Sequence, residues 1–98
     1  MKIFISMGFK GRTDEFIFNR RDSIKEVLDH MFSTYELMDN FVKDIPEVNN
    51  ESVWCLGDSI RIMSNADIVV FDEDFDEFRG CRIEEKIAKE YGLFRLYL

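Results

Sequence analysis

Ala66-Asp67-Ile68-Val69-Val70-Phe71 is the stretch that decides the fold. Its last four residues are all apolar and mostly β-branched, a composition that suits a strand covered on both faces. Such a strand needs helices on either side of its sheet, and the flanking sequence supplies helical periodicity. Upstream, Val53, Leu56, Ile60 and Met63 recur at spacings of three and four; downstream, Ile83, Ile87 and Tyr91 do the same before Gly92, a helix stop.

The pattern extends to both ends of the chain. Ile3-Phe4-Ile5 opens it as a strand, and Leu93 to Leu98 closes it as another. Tyr35 to Phe41 is a weaker, partly polar strand. Between the first two, Ile17, Ile24, Leu28 and Met31 form one helical stripe, with Thr13 as N-cap and Asp14 and Glu15 in the first turn. The order is β-α-β-α-β-α-β. Parallel strands need crossovers, and right-handed crossovers put helices on both faces. The expectation is a small doubly wound α/β fold, flavodoxin- or Rossmann-like, with a four-stranded parallel sheet. Residues 1–98 form a single domain, with no repeat or linker; Pro46 to Glu51 is a polar loop.

Composition narrows the function classes. A chain of 98 residues, 46% apolar with ten Phe, folds as a globule. A net charge of -7 argues against binding a nucleic acid polymer, which takes clustered Lys and Arg, but allows a small nucleotide at a local basic rim. No apolar run reaches membrane-spanning length and no signal peptide is evident, so no membrane partner is expected. Cys55 and Cys81 form no CxxC motif or disulfide framework and read as reduced thiols, which points to a cytoplasmic chain. His30, the single histidine, reads as a solvated surface residue, so a His-rich metal site is excluded. The acidic run Asp72 to Glu77 lacks the glycine and the terminal glutamate of a calcium loop, Glu77 and Ile83 standing in those places. No metal and no cofactor are expected.

In doubly wound sheets ligands sit beyond the carboxyl ends of the strands, where strand order reverses. Here that means Ser6 to Thr13 and the loop from Asp72 to Cys81. Ser6, Gly8 and Gly11 after a strand let backbone N–H groups approach an anion, with Lys10 and Arg12 adding charge; a tight turn with solvated basic residues is the plainer reading. Cys81, beside Arg82 near a helix start, is either a packed small residue or a reactive thiol. Trp54 is either core or a stacking surface for a base.

The hexapeptide Arg79-Gly80-Cys81-Arg82-Ile83-Glu84, running on to Ala88 and Tyr91-Gly92, carries a resemblance together with Ala66 to Phe71 and Met1-Lys2-Ile3-Phe4-Ile5-Ser6-Met7 with Gly11-Arg12. These segments resemble the nucleoside 2-deoxyribosyltransferase-like superfamily, more narrowly a short branch found in bacteria and phages. The resemblance covers nearly the whole chain. It implies that Glu84, four residues after Gly80, is a nucleophile toward the anomeric carbon of a deoxynucleoside, while a carboxylate near a helix start also suits the helix dipole. It implies a further carboxylate that holds the nucleoside. Counting back from Glu84 places this at Asp58; counting back from Asp67 places it at Ser59. The family's general acid falls at Phe78, which does no proton chemistry, with Glu77 or Asp76 as substitutes.

Three functional readings follow. One is an enzyme acting at an N-glycosidic bond, with Glu84 and Asp58 catalytic and Ser6, Gly8, Lys10, Gly11, Arg12, Ser59, Arg79, Gly80 and Arg82 lining the substrate site. The second is a non-catalytic nucleotide-binding module with Lys10, Arg12, Arg79 and Arg82 as its basic rim. The third is an interaction subunit. A homo-oligomer is expected, with Trp54, Met63, Phe75 and Phe78 meeting the partner.

Overall fold

The computed structural model describes residues 1–39 and 44–98. The elements run β1 (Lys2–Ser6), α1 (Asp14–Met31), β2 (Glu36–Leu37), α2 (Glu51–Met63), β3 (Ile68–Phe71), a 3-10 turn (Phe75–Glu77), α3 (Arg79–Glu90) and β4 (Phe94–Tyr97). The sheet is four-stranded and all parallel, in the order β2-β1-β3-β4. The doubly wound α/β class expected from the strand and helix pattern is the class observed.

Side-chain alternation splits the core into two layers. Ile3, Ile5, Ile68 and Val70 face α1 and bury Ile17, Ile24 and Leu28. Phe4, Val69 and Phe71 face the other way, onto Met63 of α2 and Ala88 of α3. Period two along each strand produces this division. Each buried Ile, Leu, Val, Phe or Met among them contributes on the order of 2 kcal/mol of hydrophobic free energy, and Ala88 correspondingly less.

Local signals hold the helix ends. Thr13 Oγ1 accepts from the Phe16 N–H at 3.1 Å, capping α1 as expected. Asn50 Oδ1 caps α2 by accepting from Val53 N–H at 3.0 Å. α3 ends in a Schellman motif. Leu93 N–H donates to Ala88 O at 2.9 Å and Gly92 N–H to Lys89 O at 3.3 Å, with Gly92 at φ +68°.

Four expectations need correction. The second strand is only Glu36–Leu37, short and on the sheet edge, and residues 40 and 41 of the expected strand lie outside the described residues. In α3 the inward stripe is Cys81, Glu84 and Ala88; Ile83 and Tyr91 face outward, Tyr91 being 79% exposed. Met31 and Val53 likewise leave their helices exposed, because α1 and α2 each cover the sheet with one narrow face. Met63 is fully buried within the chain and has no surface to offer a partner, while Phe75 is partly buried against Phe71 and Tyr97. His30 is exposed, and no described helix is long and apolar enough to cross a membrane.

Candidate functional site

β1 has β2 on one side and β3 on the other, so the strand order reverses between β1 and β3. Ser6 ends β1 in register with Phe71, which ends β3. By alternation Ser6 shares the face of Phe4 and looks toward α2 and α3. The inward stripe of α3 brings Glu84 to the same place, and α2 brings Ser59, one turn before Met63.

The three side chains form one cluster. Ser6 Oγ donates to Glu84 Oε1 at 2.8 Å, and Ser59 Oγ donates to Glu84 Oε2 at 2.6 Å. Glu84 is only 5% exposed, and no cation pairs with it among the described residues. Burial pushes its carboxyl above the ordinary 4.5, and the two serine hydroxyls pull partly back. An ionisable side chain buried without a counter-charge is unfavourable for folding alone, which is why such groups mark functional sites.

Glu84 lies in the wall of a cleft of about 1100 Å³. Gly8, Lys10, Ser59, Arg79, Gly80 and Arg82 line it too, so six of the expected binding residues border one space. Lys10 and Arg79 make no ion pair among the described residues, while Arg82 donates to the Asp76 carbonyl at 2.8 Å. Ser6 does not line the cleft itself and sits behind Glu84 and Cys81, which do.

Three expected residues fall elsewhere. Asp58 points away from Glu84 and pairs with Arg61 at 2.6 Å; a one-residue step along a helix is a turn of about 100°, so Ser59 takes the inward place. Arg12 is withdrawn from the rim. Its guanidinium pairs with Asp74, donates to the Gly8 carbonyl and lies between the rings of Phe16 and Phe78 at 4.7 and 4.6 Å from their centroids. Gly11 is exposed with φ +78°, a turn residue rather than part of the cleft wall.

Phe78 bears on the general-acid question. Its ring lies on Gly8 so closely that a Cβ there would overlap it, and the ring borders the cleft. Glu77 also borders the cleft; Asp76 does not. Cys81 is 3% exposed, and its thiol is pushed up to about 11, mainly by burial, with the Ser6 hydroxyl opposing and Glu84, Asp72 and Asp74 adding to the rise. Burial and the raised thiol favour the packed-residue reading over the reactive thiol. Trp54 joins neither core cluster nor the cleft and borders a separate shallow depression.

Sequence reasoning missed the second ion-pair cluster of this strand end. Arg20 of α1 places Nε 3.0 Å from both oxygens of Asp72, which is 2% exposed, and its Nη2 reaches Glu73 at 2.9 Å. The signal was Asp72 itself, an acid directly after a buried strand that needs a cation. This pair ties the β3 exit to α1 and leaves the cleft to the other face. Among the described residues no cluster of metal-ligating side chains occurs. Comparison with family models, curated proteins and solved structures gives no match to the chain.

Proposed function

We propose that the cleft binds a nucleoside or nucleotide and that Glu84 attacks the anomeric carbon of its sugar, cleaving or transferring at the N-glycosidic bond. The observation that carries this reading is the Glu84 carboxylate, buried in the cleft at the strand-order reversal and held at both oxygens by Ser6 and Ser59. The resemblance to nucleoside 2-deoxyribosyltransferases supports the same role. In the step, a Glu84 oxygen forms a bond to the anomeric carbon as the bond to the base nitrogen breaks. The base leaves with that electron pair and takes a proton, and water or a second base then releases the sugar from Glu84. The serine hydroxyls hold the carboxylate in one orientation and favour its charged form against burial. Activity therefore rises with pH as Glu84 ionises.

A second reading has one observation in its favour. Phe78, packed on Gly8, occupies the position where the resemblance calls for a proton donor. A site that lacks the acid binds its ligand without turnover, or turns over slowly with Glu77 as donor. A positioned acid is worth roughly 10²–10⁴ in rate, so the two readings differ on a measurable scale. The test is release of free base from deoxynucleosides and their 5′-monophosphates, followed by chromatography over hours. Base release by the wild type and none by Glu84→Gln supports the enzyme. Ligand binding with wild-type release equal to buffer leaves the binding module. No binding and no release removes both.

A further inference from the structure

Gly57 stands in the interior of α2, where a glycine weakens a helix by roughly 1 kcal/mol relative to alanine. Nothing among the described residues calls for it. Its φ is not positive, and a Cβ built there meets no atom of the described residues within 4 Å. Trp54, Asp58 and Arg61 flank it at helical spacing, and the four residues line a shallow, mainly apolar depression of about 310 Å³. Arg61 is 71% exposed on its side chain and uses Nη2 to hold Asp58, which leaves the flat face of its guanidinium open.

We propose that this face of α2 is a two-fold interface between copies of the chain, with the helices crossing antiparallel at Gly57. The register follows from helix geometry. On a two-fold axis through Gly57, Trp54 lies three residues to one side and Arg61 four to the other, so Trp54 of one copy meets Arg61 of its partner within about 1.5 Å along the axis. The contact is self-complementary. Each Arg61 lies on the partner's indole while its edge stays on its own Asp58, so no net charge enters the interface of a chain that carries -7. Gly57 lets the helix backbones approach at the crossing point. A different partner protein would find no reason for the Trp54–Arg61 match about this particular glycine. This inference is independent of what the cleft binds.

Trp54 is the only tryptophan, so its emission reports the contact directly. Sedimentation velocity and Trp54 emission are followed over a dilution series from high to low micromolar protein. The expected result is a species of twice the 11.7 kDa chain mass that dissociates on dilution while the emission moves to the red with the same midpoint. Gly57→Gln restores helix propensity but blocks the approach, and is expected to be monomeric with an unchanged or higher melting temperature by circular dichroism. Arg61→Glu is expected to raise the dissociation constant about tenfold or more by losing the indole contact. A chain monomeric throughout overturns the proposal and leaves the face to another partner. A dimer that both substitutions leave intact overturns it as well.

Discussion

The hydroxyl of Ser59 donates to Oε2 of Glu84 at 2.6 Å, joining α2 to α3 through a buried carboxylate. This bond favours the charged form, so its loss has a defined sign. Ser59→Ala is expected to move the Glu84 carboxyl further upward and to leave Oε2 unpaired, at about 1–3 kcal/mol of stability. Carbon-detected NMR titration of the Glu84 carboxyl checks it. An unchanged midpoint would show that the bond is not made in solution.

The same carboxyl makes stability depend on pH. Its folded value is raised above the ordinary 4.5, so the folded state holds the proton more tightly. The stability this contributes is fully present below 4.5 and is lost as pH rises through the folded value. Glu84→Gln cannot ionise and escapes the loss. The variant is therefore expected to melt a few degrees above wild type at pH 7, where about 1 kcal/mol shifts a domain of this size by roughly 4–8 °C. The gap should close toward pH 4. All other groups titrate alike in the two proteins, so a gap independent of pH would contradict a buried, charged Glu84.

What was legible in the chain and what was not have one physical source. Ile68 to Phe71 declares a central strand because every residue in it is apolar, whichever face it takes. Thr13 and Gly92 declare helix ends because their chemistry is local. Hydropathy assigns the core face of α3 to Ile83, Ile87 and Tyr91, of which only Ile87 packs on the core, while the fold turns Glu84 inward between Cys81 and Ala88. No hydropathy count credits a buried carboxylate. The choice between Asp58 and Ser59 was open for a related reason: adjacent helix residues point about 100° apart, and only the packed helix settles which one faces Glu84. Charge, the position after β1 and the Gly11-Arg12 resemblance all place Arg12 on the rim, yet its partners Asp74 and Phe78 lie more than sixty residues away in sequence, out of reach of any local pattern.

Gly8 and Phe78 share one space. Gly8→Ala would drive a methyl group into the ring at the atoms nearest its backbone, where a side chain has least freedom to move. An overpacking loss of about 1–3 kcal/mol is expected in urea denaturation. Phe78→Ala loses the ring and its contact with Arg12. The double variant should be more stable than the sum of the single losses predicts, because the removed ring makes room for the methyl group. Simple additivity would mean the two residues do not touch.

The two thiols should differ under alkylation. Cys81 is buried with its thiol pushed up to about 11, so at pH 8 only about one molecule in a thousand carries the thiolate there. Cys55 is only partly buried. Iodoacetamide is expected to label Cys55 in the native protein and Cys81 only after denaturant is added, as read by mass spectrometry of the digested peptides. Equal native labelling of both would place Cys81 at the surface.

The cations around the cleft decide how a phosphate would be treated. Lys10 and Arg79 border the cleft without an ion-pair partner among the described residues, whereas Arg12 is held by Asp74 and Gly8 and sandwiched between Phe16 and Phe78. If the cleft takes nucleosides, 5′-monophosphates should bind better at low salt, and the advantage should shrink as salt screens these exposed charges. Each free cation is worth about 0.2–1 kcal/mol, so Lys10→Ala and Arg79→Ala should each reduce the advantage by a factor of roughly 1.5 to 5. Arg12→Ala should leave the advantage unchanged and lower the melting temperature instead, since that guanidinium braces Phe78 and the Asp74 turn. Calorimetric titration of each variant with a nucleoside and its monophosphate, at two salt concentrations, separates the roles. A monophosphate advantage that survives both cleft substitutions but disappears in Arg12→Ala would return Arg12 to the rim and require the Asp74 pair to open when ligand binds.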